Sequence, residues 1–266
     1  MNSVHTTQPT TCVAKLLLAY DGSDFHGWQI QPGLRTVQGC LVDALCRLVP
    51  LDGIPPGAGR TDAGVHAQGQ VSSVPLPDEA LVGRLRRALP RMLPADILLR
   101  EIGVEPLGFH ARHSARGRRY RYSMLRLPDP FRRRTHWLVQ GQLDVDAMRR
   151  ACTYLLGEHD FESFCVSASV EEGKTACRVQ RAEIEVEGEQ LHLHIAADRF
   201  LHSMVRTIVG TLIDVGRGRR TPEDMEQIIL ARRRSAAGPT APPLGLSLEE
   251  VHYSKTNPLD PRRGED

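Results

Sequence analysis

The sequence predicts an α+β protein of two split-βαβ domains in which the sheets are mainly antiparallel. Two observations lead to this prediction. The two halves of the 266-residue chain show the same order of strand and helix patterns, and the connections between these patterns are short, with a clear hairpin in the second half. Short connections and hairpins favour antiparallel pairing, because parallel neighbours need a long crossover. A doubly wound parallel sheet is therefore the less favoured architecture.

The first half has a strand–helix–strand–helix–strand order. An apolar run over residues 13–20 predicts a strand that ends at Asp21-Gly22. Thr36 is a suitable N-cap for the helix that follows, which carries an apolar stripe at helical spacing. The remaining elements predicted in this half are a strand over residues 70–74, a helix from about Glu79 and a strand over residues 97–102.

The second half opens after a connection rich in Pro, Gly, His and Arg, at about residues 105–117. Apolar residues alternate with polar ones on both sides of Gly188-Glu189, which predicts a β-hairpin. Asp144 is a suitable N-cap for a helix that runs to Leu156. The other predicted elements are a strand over 118–125, helices over 199–215 and from Thr221, and a strand over 246–251. The predicted domains are residues 12–108 and 109–253, with flexible tails at residues 1–11 and 254–266.

Composition excludes several classes of protein. Apolar residues make up 41% and charged residues 25% of the chain, which excludes a disordered or low-complexity protein. No apolar run approaches the ~20 residues that cross a bilayer, and the first residues lack the features of a signal peptide. We therefore expect a soluble cytoplasmic protein with no membrane partner. The six cysteines form no C-x-x-C pair and are expected to be reduced thiols.

A metal site is not expected. His192 and His194 share one face of a predicted strand, which resembles half of a metal site. Further histidines or cysteines at ligand spacing are missing, so exposed strand histidines are the favoured interpretation.

The net charge of +2 does not indicate a nucleic-acid binder, but the arginines are concentrated in one stretch. Between Pro106 and Leu143 there are nine arginines and several aromatic residues, and Asp129 is the only acid. Guanidinium groups bind phosphates, and aromatic rings stack on unpaired bases. The stretch therefore predicts phosphate binding. The alternative is a solvated surface in an arginine-rich protein.

The glycine-rich segment over residues 57–66 contains a single carboxylate, Asp62, flanked by Arg60 and His66. Its glycine spacing fits neither the dinucleotide-binding nor the P-loop pattern, so a nucleotide-cofactor loop is not expected. Glycines do allow a tight turn that presents a side chain close to a ligand. Asp62 is thus either a catalytic carboxylate or a turn aspartate that bonds its own backbone.

The predicted helix over residues 199–215 is apolar nearly all round, which is typical of a helix in the protein interior. Arg206 lies in its middle, and an arginine in such a place needs a partner because its desolvation is costly. The nearest acids in sequence are too distant for a neighbour contact along the helix. A carboxylate on a glycine-rich loop would be a suitable partner. The alternative is that Arg206 binds backbone carbonyls or reaches the surface.

Other distinctive segments accompany these two in a fixed order. They are YDGS at 20–23, FHGWQ at 25–29, FHAR at 109–112, RYRY at 119–122, GEHDF at 157–161, FLHSMVR at 200–206, TAP at 240–242 and GL at 245–246. Together with GRTDAGVHA at 59–67, they resemble the TruA family of tRNA pseudouridine synthases nearly end to end.

The resemblance implies that the chain converts uridine to pseudouridine in tRNA, at positions 38, 39 and 40 of the anticodon stem-loop. No cofactor and no metal are implied. Members of this family are homodimers of two-lobed α+β subunits, so we expect ferredoxin/RRM-like domains and RNA in a central basic cleft.

The resemblance also implies a role for five residues. Asp62 would be the catalytic aspartate, as nucleophile or base, and Arg206 would pair with it. Tyr120 would stack on the target base and help to remove the proton from C5. Arg60 would help to displace the nucleotide from the stem, and Leu246 would pack on the other side of the uracil.

The chain departs from the family pattern at three positions, and two other functions compete. Ser203 and Thr207 stand where the family often has His and Asn, and Pro90 stands where Asn is common, which bears on site specificity. A non-catalytic RNA-binding module would be expected to lack the Asp–Arg–Tyr set. A carboxylate-dependent N-glycosyl hydrolase usually has a second carboxylate near the first and leaves the arginines unexplained.

Overall fold

The computed structural model describes residues 9–166 and 175–253. The chain divides into two compact units, unit 1 ending at Ala115 and unit 2 beginning at Arg116. The predicted tails at residues 1–11 and 254–266 lie outside the described residues, apart from residues 9–11. Each unit is described separately below.

Unit 1 contains a three-stranded antiparallel sheet with two helices. Strand β1 (Cys12–Tyr20) lies in the middle and pairs antiparallel with β2 (His66–Leu76) on one side and β3 (Ile97–Glu105) on the other. Leu16 and Leu18 of β1 are completely buried, because alternate side chains of a central strand point into the core.

The two helices of unit 1 are α1 (Val37–Cys46) and α2 (Ala80–Met92). The predicted cap of α1 is confirmed, because the Thr36 hydroxyl accepts a 3.2 Å hydrogen bond from the Gly39 N–H. Pro90 lies inside α2, close to its C-terminal end, where the helix continues for only two more residues.

Unit 2 contains a larger antiparallel sheet with the strand order β9-β4-β8-β7-β6. A short strand, β5, pairs parallel with the end of β4. The predicted hairpin is confirmed: β7 and β8 pair antiparallel across the turn at Gly188-Glu189. The strands are β4 (Gly117–Leu125), β5 (Trp137–Leu138), β6 (Gly157–Asp160), β7 (Ala176–Glu187), β8 (Gln190–Ala197) and β9 (Leu246–His252).

Three α-helices belong to unit 2: α3 (Val145–Thr153), α4 (Met204–Gly216) and α5 (Asp224–Ala231). The predicted cap of α3 is confirmed, because Asp144 accepts a 2.8 Å hydrogen bond from the Ala147 N–H. The predicted start of α4 at residue 199 is wrong. The residue before α4 has a left-handed backbone, with φ of 58°, which a continuing right-handed helix cannot contain.

The two faces of the unit 2 sheet differ in polarity. Tyr122 of β4 and its β8 partner Leu193 are completely buried on the apolar face, and α4 packs against β4. The opposite face carries Arg121, Ser123 and His192, which alternate with the apolar residues along the strands. This alternation separates a packed side of the sheet from a polar side.

The predicted α+β class with mainly antiparallel pairing is confirmed in both units. Two split-βαβ domains are not confirmed: the described part of unit 1 has three strands, where the split-βαβ pattern has four. Within the described residues, no helix combines the length and apolar character that crossing a membrane requires.

Candidate active site

Asp62 lies on a loop of unit 1, residues 57–65, which we call the Asp62 loop and which leads directly into β2. The first part of the loop runs beside β2, where the Ala58 N–H donates to the Val71 carbonyl at 2.8 Å. The chain then turns, and the Asp62 carbonyl accepts a 3.1 Å hydrogen bond from the Val65 N–H. The turn leaves the Asp62 residue half-buried rather than buried in the core.

Thr61 anchors the loop immediately before Asp62. Its carbonyl accepts a 3.0 Å hydrogen bond from the Trp28 N–H. Its hydroxyl lies 2.8 Å from the phenol oxygen of Tyr20, in a buried hydrogen bond. A buried polar group that loses its partner pays its full desolvation cost, so these bonds resist displacement of the loop.

Two glycines let the 21–28 segment approach the Asp62 loop at backbone distance. A Cβ atom at Gly22 would overlap the carbonyl of Val65, and one at Gly27 would lie 2.7 Å from the carbonyl oxygen of Thr61. Gly27 also has a φ of 86°, which side-chain-bearing residues rarely adopt. Close backbone packing therefore fixes the loop on both sides of Asp62.

Gln70 of β2 provides a further anchor for the Asp62 loop. Its side chain is completely buried, and its Nε2 donates to the Gly59 carbonyl at 2.8 Å and to the Tyr20 phenol oxygen at 3.4 Å. Beyond Asp62, the Gly64 N–H donates to the Phe25 carbonyl at 3.2 Å. Sequence reasoning missed Gln70, because it lies in the middle of β2 near Ser72 and Ser73, and its polarity alone did not distinguish it.

Arg206 lies on α4 of unit 2, where eleven of 13 residues are buried. The predicted interior helix is thus confirmed, and its two half-buried exceptions are Arg206 and Asp214. The Arg206 Nε donates to the Ala241 carbonyl at 2.8 Å, and the Ala241 N–H donates to the Arg206 carbonyl at 3.0 Å. A Cβ atom at Gly210, one turn further along, would overlap the Pro239 carbonyl, so the helix and this segment touch along their backbones. A backbone carbonyl is one of the partners that the sequence allowed for Arg206.

Tyr122 is a neighbour of Arg206 that sequence reasoning missed. Its phenol donates to the Pro242 carbonyl at 2.7 Å. Burial raises the pKa of this phenol, and the positive charge of Arg206 acts on that pKa in the opposite direction. The phenol therefore stays neutral and serves to hold the 238–242 segment beside Arg206.

Unit 2 brings Tyr120 and Leu246 to the same face of the sheet as Tyr122. Tyr120 is two positions before Tyr122 on β4, and Leu246 is the β9 residue directly opposite Tyr122. The Tyr120 ring packs edge-to-face on Phe200, with 5.1 Å between the ring centroids. Tyr120, Leu246 and Arg206 thus occupy one neighbourhood, although Tyr120 and Leu246 are both more than nine-tenths buried.

The expectation that His192 is exposed is wrong. His192 is buried, and its Nδ1 lies 3.0 Å from the Ser123 hydroxyl on the next strand. His194 is half-buried, with its Nε2 3.0 Å from a Glu185 carboxylate oxygen. Burial lowers the pKa of both imidazoles. Polar side chains of neighbouring strands shield these rings. In the described part of the chain no group of three or more His, Cys, Asp or Glu residues could hold a metal ion.

The comparison with known proteins gives one consistent result. A family model described as tRNA pseudouridine synthase matches residues 151–254. Proteins named tRNA pseudouridine synthase A are similar over most of their length. The one from Moorella thermoacetica is 47% identical over 244 residues, which is 90% of this chain and 98% of that protein. The one from Geobacter sp. strain M21 is 43% identical over 242 residues, which is 90% of this chain and 98% of that protein. The one from Halalkalibacterium halodurans is 45% identical over 234 residues, which is 87% of this chain and 89% of that protein.

The chain belongs to the tRNA pseudouridine synthase family. Alignments that cover about 90% of the chain include both units. They therefore include the Asp62 loop, which lies outside the 151–254 match.

The three positions that depart from the family pattern lie in or directly before helices, and none of them belongs to the Asp62 loop. Ser203 provides the left-handed residue before α4. The Thr207 hydroxyl lies 3.3 Å from the Thr240 hydroxyl and joins α4 to the 238–242 segment. Pro90 lies two residues before the end of α2, where its missing N–H removes one helical hydrogen bond.

The five site residues predicted for this pseudouridine synthase fall into two groups. Asp62 and Arg60 share the Asp62 loop in unit 1, with Arg60 exposed. Tyr120, Arg206 and Leu246 share one neighbourhood in unit 2. The pairing of Arg206 with Asp62 and the role of each residue in catalysis stay predictions.

Proposed function

We propose that this protein is an isomerase that converts uridine to pseudouridine at positions 38, 39 and 40 of the tRNA anticodon stem-loop. Family membership and the name shared by its relatives support a tRNA substrate and this reaction. The observation that carries the catalytic assignment is the half-buried Asp62 on a loop that hydrogen bonds anchor on both sides. Catalytic carboxylates need this kind of fixed placement.

The reaction breaks the bond between C1′ of the ribose and N1 of the uracil. The base turns while it stays bound, a new bond joins C1′ to C5, the proton leaves C5, and N1 gains a proton. Atoms and electrons balance without an oxidant, a reductant or a second substrate, as an isomerisation requires. In this proposal an ionised Asp62 either attacks the sugar as a nucleophile or removes its 2′ proton as a base.

Arg206 is proposed to act beside Asp62. An opposite charge within about 4–6 Å keeps a carboxyl group ionised at neutral pH. The hydrogen bond from Arg206 Nε to the Ala241 carbonyl supports this role, because it sets the plane of the guanidinium group. The charged guanidinium group of Arg206, on a helix with eleven of 13 residues buried, also needs a charged partner more than a surface arginine does.

Tyr120 and Leu246 are proposed to hold the target uracil between them. Their shared position on the apolar face of the unit 2 sheet supports this, since an aromatic ring and a leucine side chain suit the two faces of a base. The Tyr120 phenol would accept the C5 proton. Arg60 is exposed, which suits a residue that helps to take the nucleotide out of the stem.

The remaining parts of the proposal concern assembly and place. We propose a cytoplasmic homodimer whose predicted domains, 12–108 and 109–253, bind the tRNA in a basic cleft. The concentration of arginines between Pro106 and Leu143 supports RNA binding. A non-catalytic RNA-binding module is the alternative, and it is disfavoured because Asp62, Tyr120 and Arg206 are all present.

The test is release of tritium from unmodified tRNA labelled at C5 of uracil. Wild-type protein should release tritium in proportion to pseudouridine formed, and Asp62→Asn should release none while its Kd for tRNA stays within about threefold. Asp52→Asn is the matched control, because Asp52 is an exposed aspartate ten positions earlier in the same unit. It should leave the rate unchanged.

The outcomes separate the alternatives. Tight binding of tRNA without tritium release by the wild type would support an RNA-binding module. Release of free uracil, with no pseudouridine in the RNA, would support the N-glycosyl hydrolase. Loss of folding together with activity in Asp62→Asn, seen as a lower Tm, would contradict a purely catalytic role for Asp62.

A further inference from the structure

Residues 126–136, which we call the distal loop, join β4 to β5 in unit 2 and present an aromatic ring to solvent. Phe131 is 96% exposed, and no large apolar side chain in the described part of the chain is more exposed. Folding usually buries such a ring, because transfer of apolar surface from water is favourable. An aromatic side chain kept in water therefore needs an explanation.

The distal loop is ordered by its own hydrogen bonds. The Asp129 carboxylate accepts a 2.9 Å hydrogen bond from the Phe131 N–H and pairs with Arg132 at 2.6 Å. The His136 N–H donates to the Arg132 carbonyl at 2.9 Å. Because these bonds fix the backbone on both sides of Phe131, the exposed ring is presented by a formed turn, and little ordering would be needed for it to bind a partner.

The charge of the distal loop identifies the kind of partner. Its arginines outnumber its acids four to one; they are Arg126, Arg132, Arg133 and Arg134. Phosphates are the ligands that clustered guanidinium groups prefer, and an exposed aromatic ring next to them provides a stacking surface for a base. RNA offers both chemical groups at once.

Two other partners fit the loop less well. A second copy of this chain would have to offer acidic partners to these arginines, because burying an unpaired charge in an interface is costly. A lipid surface would be expected to meet a broad apolar face, which one ring within an arginine-rich turn does not provide.

The position of the distal loop places it away from the proposed uracil site. Tyr120 and Leu125, the last residue of β4, are separated by five residues of extended strand, or about 17 Å at ~3.4 Å per residue. Within the stem-loop substrate, the unpaired bases lie in the loop next to the target uridine. A base that reaches Phe131 is therefore a nucleotide other than the target uridine that Tyr120 would hold.

We propose that the distal loop is a second RNA-binding site that contacts tRNA outside the anticodon stem-loop. Phe131 stacks on an exposed base there, and Arg132, Arg133 and Arg134 bind the flanking phosphates. The identity of the RNA as tRNA rests on the proposed function.

The experiment compares the effect of Phe131 substitutions on two substrates. Phe131→Ala should lower kcat/KM for full-length unmodified tRNA about tenfold, within the range measured when stacking on a base is removed, and should change kcat/KM for an isolated anticodon stem-loop less than twofold. Phe131→Trp should retain wild-type values, because it keeps an aromatic face. Leu230→Ala is the matched control: Leu230 is a 67% exposed apolar residue on α5 of the same unit, and its removal should affect neither substrate.

A second measurement concerns the phosphates. The double change Arg133→Ala and Arg134→Ala should reduce the slope of log Kd against log salt concentration for full-length tRNA by about one for each phosphate that is no longer bound. The slope for the stem-loop should not change.

Three results would overturn the proposal: equal losses on both substrates, no loss on either, or a change of oligomeric state in Phe131→Ala by analytical ultracentrifugation. Binding of labelled tRNA by fluorescence anisotropy separates this proposal from the proposed function. If wild-type protein makes no pseudouridine but Phe131→Ala still weakens binding of full-length tRNA alone, the distal site stands and the proposed function fails.

Discussion

The Asp62 loop and the distal loop are both surface loops of the tRNA pseudouridine synthase, but they are held in different ways. The Asp62 loop is bonded to groups distant in sequence, among them the Tyr20 phenol, the Trp28 N–H and the Gln70 amide. The distal loop is held mainly by bonds among its own residues, and its most exposed ring touches no core. The difference matches the two tasks that we propose for these loops. A group that reacts with a sugar or base needs placement within a fraction of an ångström, whereas a group that binds RNA needs charge and reach.

The comparison also explains the composition of the two loops. Gly22 and Gly27 lie opposite the Asp62 loop because the backbones touch there. The distal loop contains no glycine and needs none, since its turn is made by Asp129 and Pro130. A loop that is held by close backbone contacts thus needs glycines opposite it, because a Cβ atom there would overlap the loop. A loop that is held by its own turn does not need them.

The largest effect is expected from a substitution that pushes on the Asp62 loop. Gly22→Ala should lower kcat about a hundredfold, because the new methyl group overlaps the Val65 carbonyl and displacement of a catalytic group by about 1 Å costs that much. Overpacking should also lower the free energy of unfolding by about 1–3 kcal/mol. Tritium release and thermal unfolding measure the two quantities.

Gly103→Ala is the control for this substitution, because a Cβ atom at Gly103 on β3 would meet no atom within 4 Å. It should leave both quantities unchanged. A kcat for Gly22→Ala within threefold of wild type would show that the loop tolerates movement, and the contrast between the two loops would then be lost.

A smaller effect is expected when one anchor is removed without a clash. Tyr20→Phe deletes the buried phenol that bonds the Thr61 hydroxyl, so the free energy of unfolding should fall by about 1–3 kcal/mol. We expect kcat to fall about tenfold while KM stays within twofold, because Tyr20 is buried and its bond acts on the loop that carries Asp62. Steady-state kinetics and urea denaturation check this.

Tyr154→Phe is a suitable comparison for Tyr20→Phe, since Tyr154 follows α3 and its phenol has no hydrogen-bond partner among the described residues. It should behave as wild type. A rise in KM with unchanged kcat in Tyr20→Phe would mean that Tyr20 acts in RNA binding instead.

Local signals predicted much of the fold. The caps at Thr36 and Asp144 and the hairpin at Gly188-Glu189 were found because each depends on residues only a few positions apart. Strands β5 and β6 were missed: they have two and four residues, and β6 is mostly polar, so only the neighbouring strand makes them strands. The start of α4 was placed five residues early because an apolar pattern does not show a left-handed residue.

The sequence predicted the residues that would react at the candidate site, but not the residues that hold them in place. Asp62 was found because it is the single carboxylate in a glycine-rich segment, and Arg206 because it interrupts an apolar helix. The anchors were not predictable from spacing, since Tyr20 and Thr61 are 41 residues apart in sequence. The same reason explains the error on His192, whose shielding comes from Ser123 on a strand 69 residues away.

The smallest effect is expected from loosening the distal loop. Asp129→Ala removes the carboxylate that bonds the Phe131 N–H and pairs with Arg132. The pKa of this carboxyl is lowered, first by the Phe131 N–H and also by Arg132, so it is ionised and both contacts are present at neutral pH. We expect KM for full-length tRNA to rise about threefold with kcat unchanged, because a mobile loop must be ordered on binding. Steady-state tritium release measures both constants.

Asp146→Ala is the matched control for this last change, because Asp146 forms the same i,i+3 pair with Arg149 on α3 at 3.1 Å. It should leave KM and kcat unchanged, and both variants should keep their Tm within about 3 °C of wild type, as expected for changes at the surface. If Asp129→Ala lowered kcat rather than raising KM, the distal loop would influence the reacting groups. The proposal that the distal loop and the Asp62 loop have different functions would then be wrong.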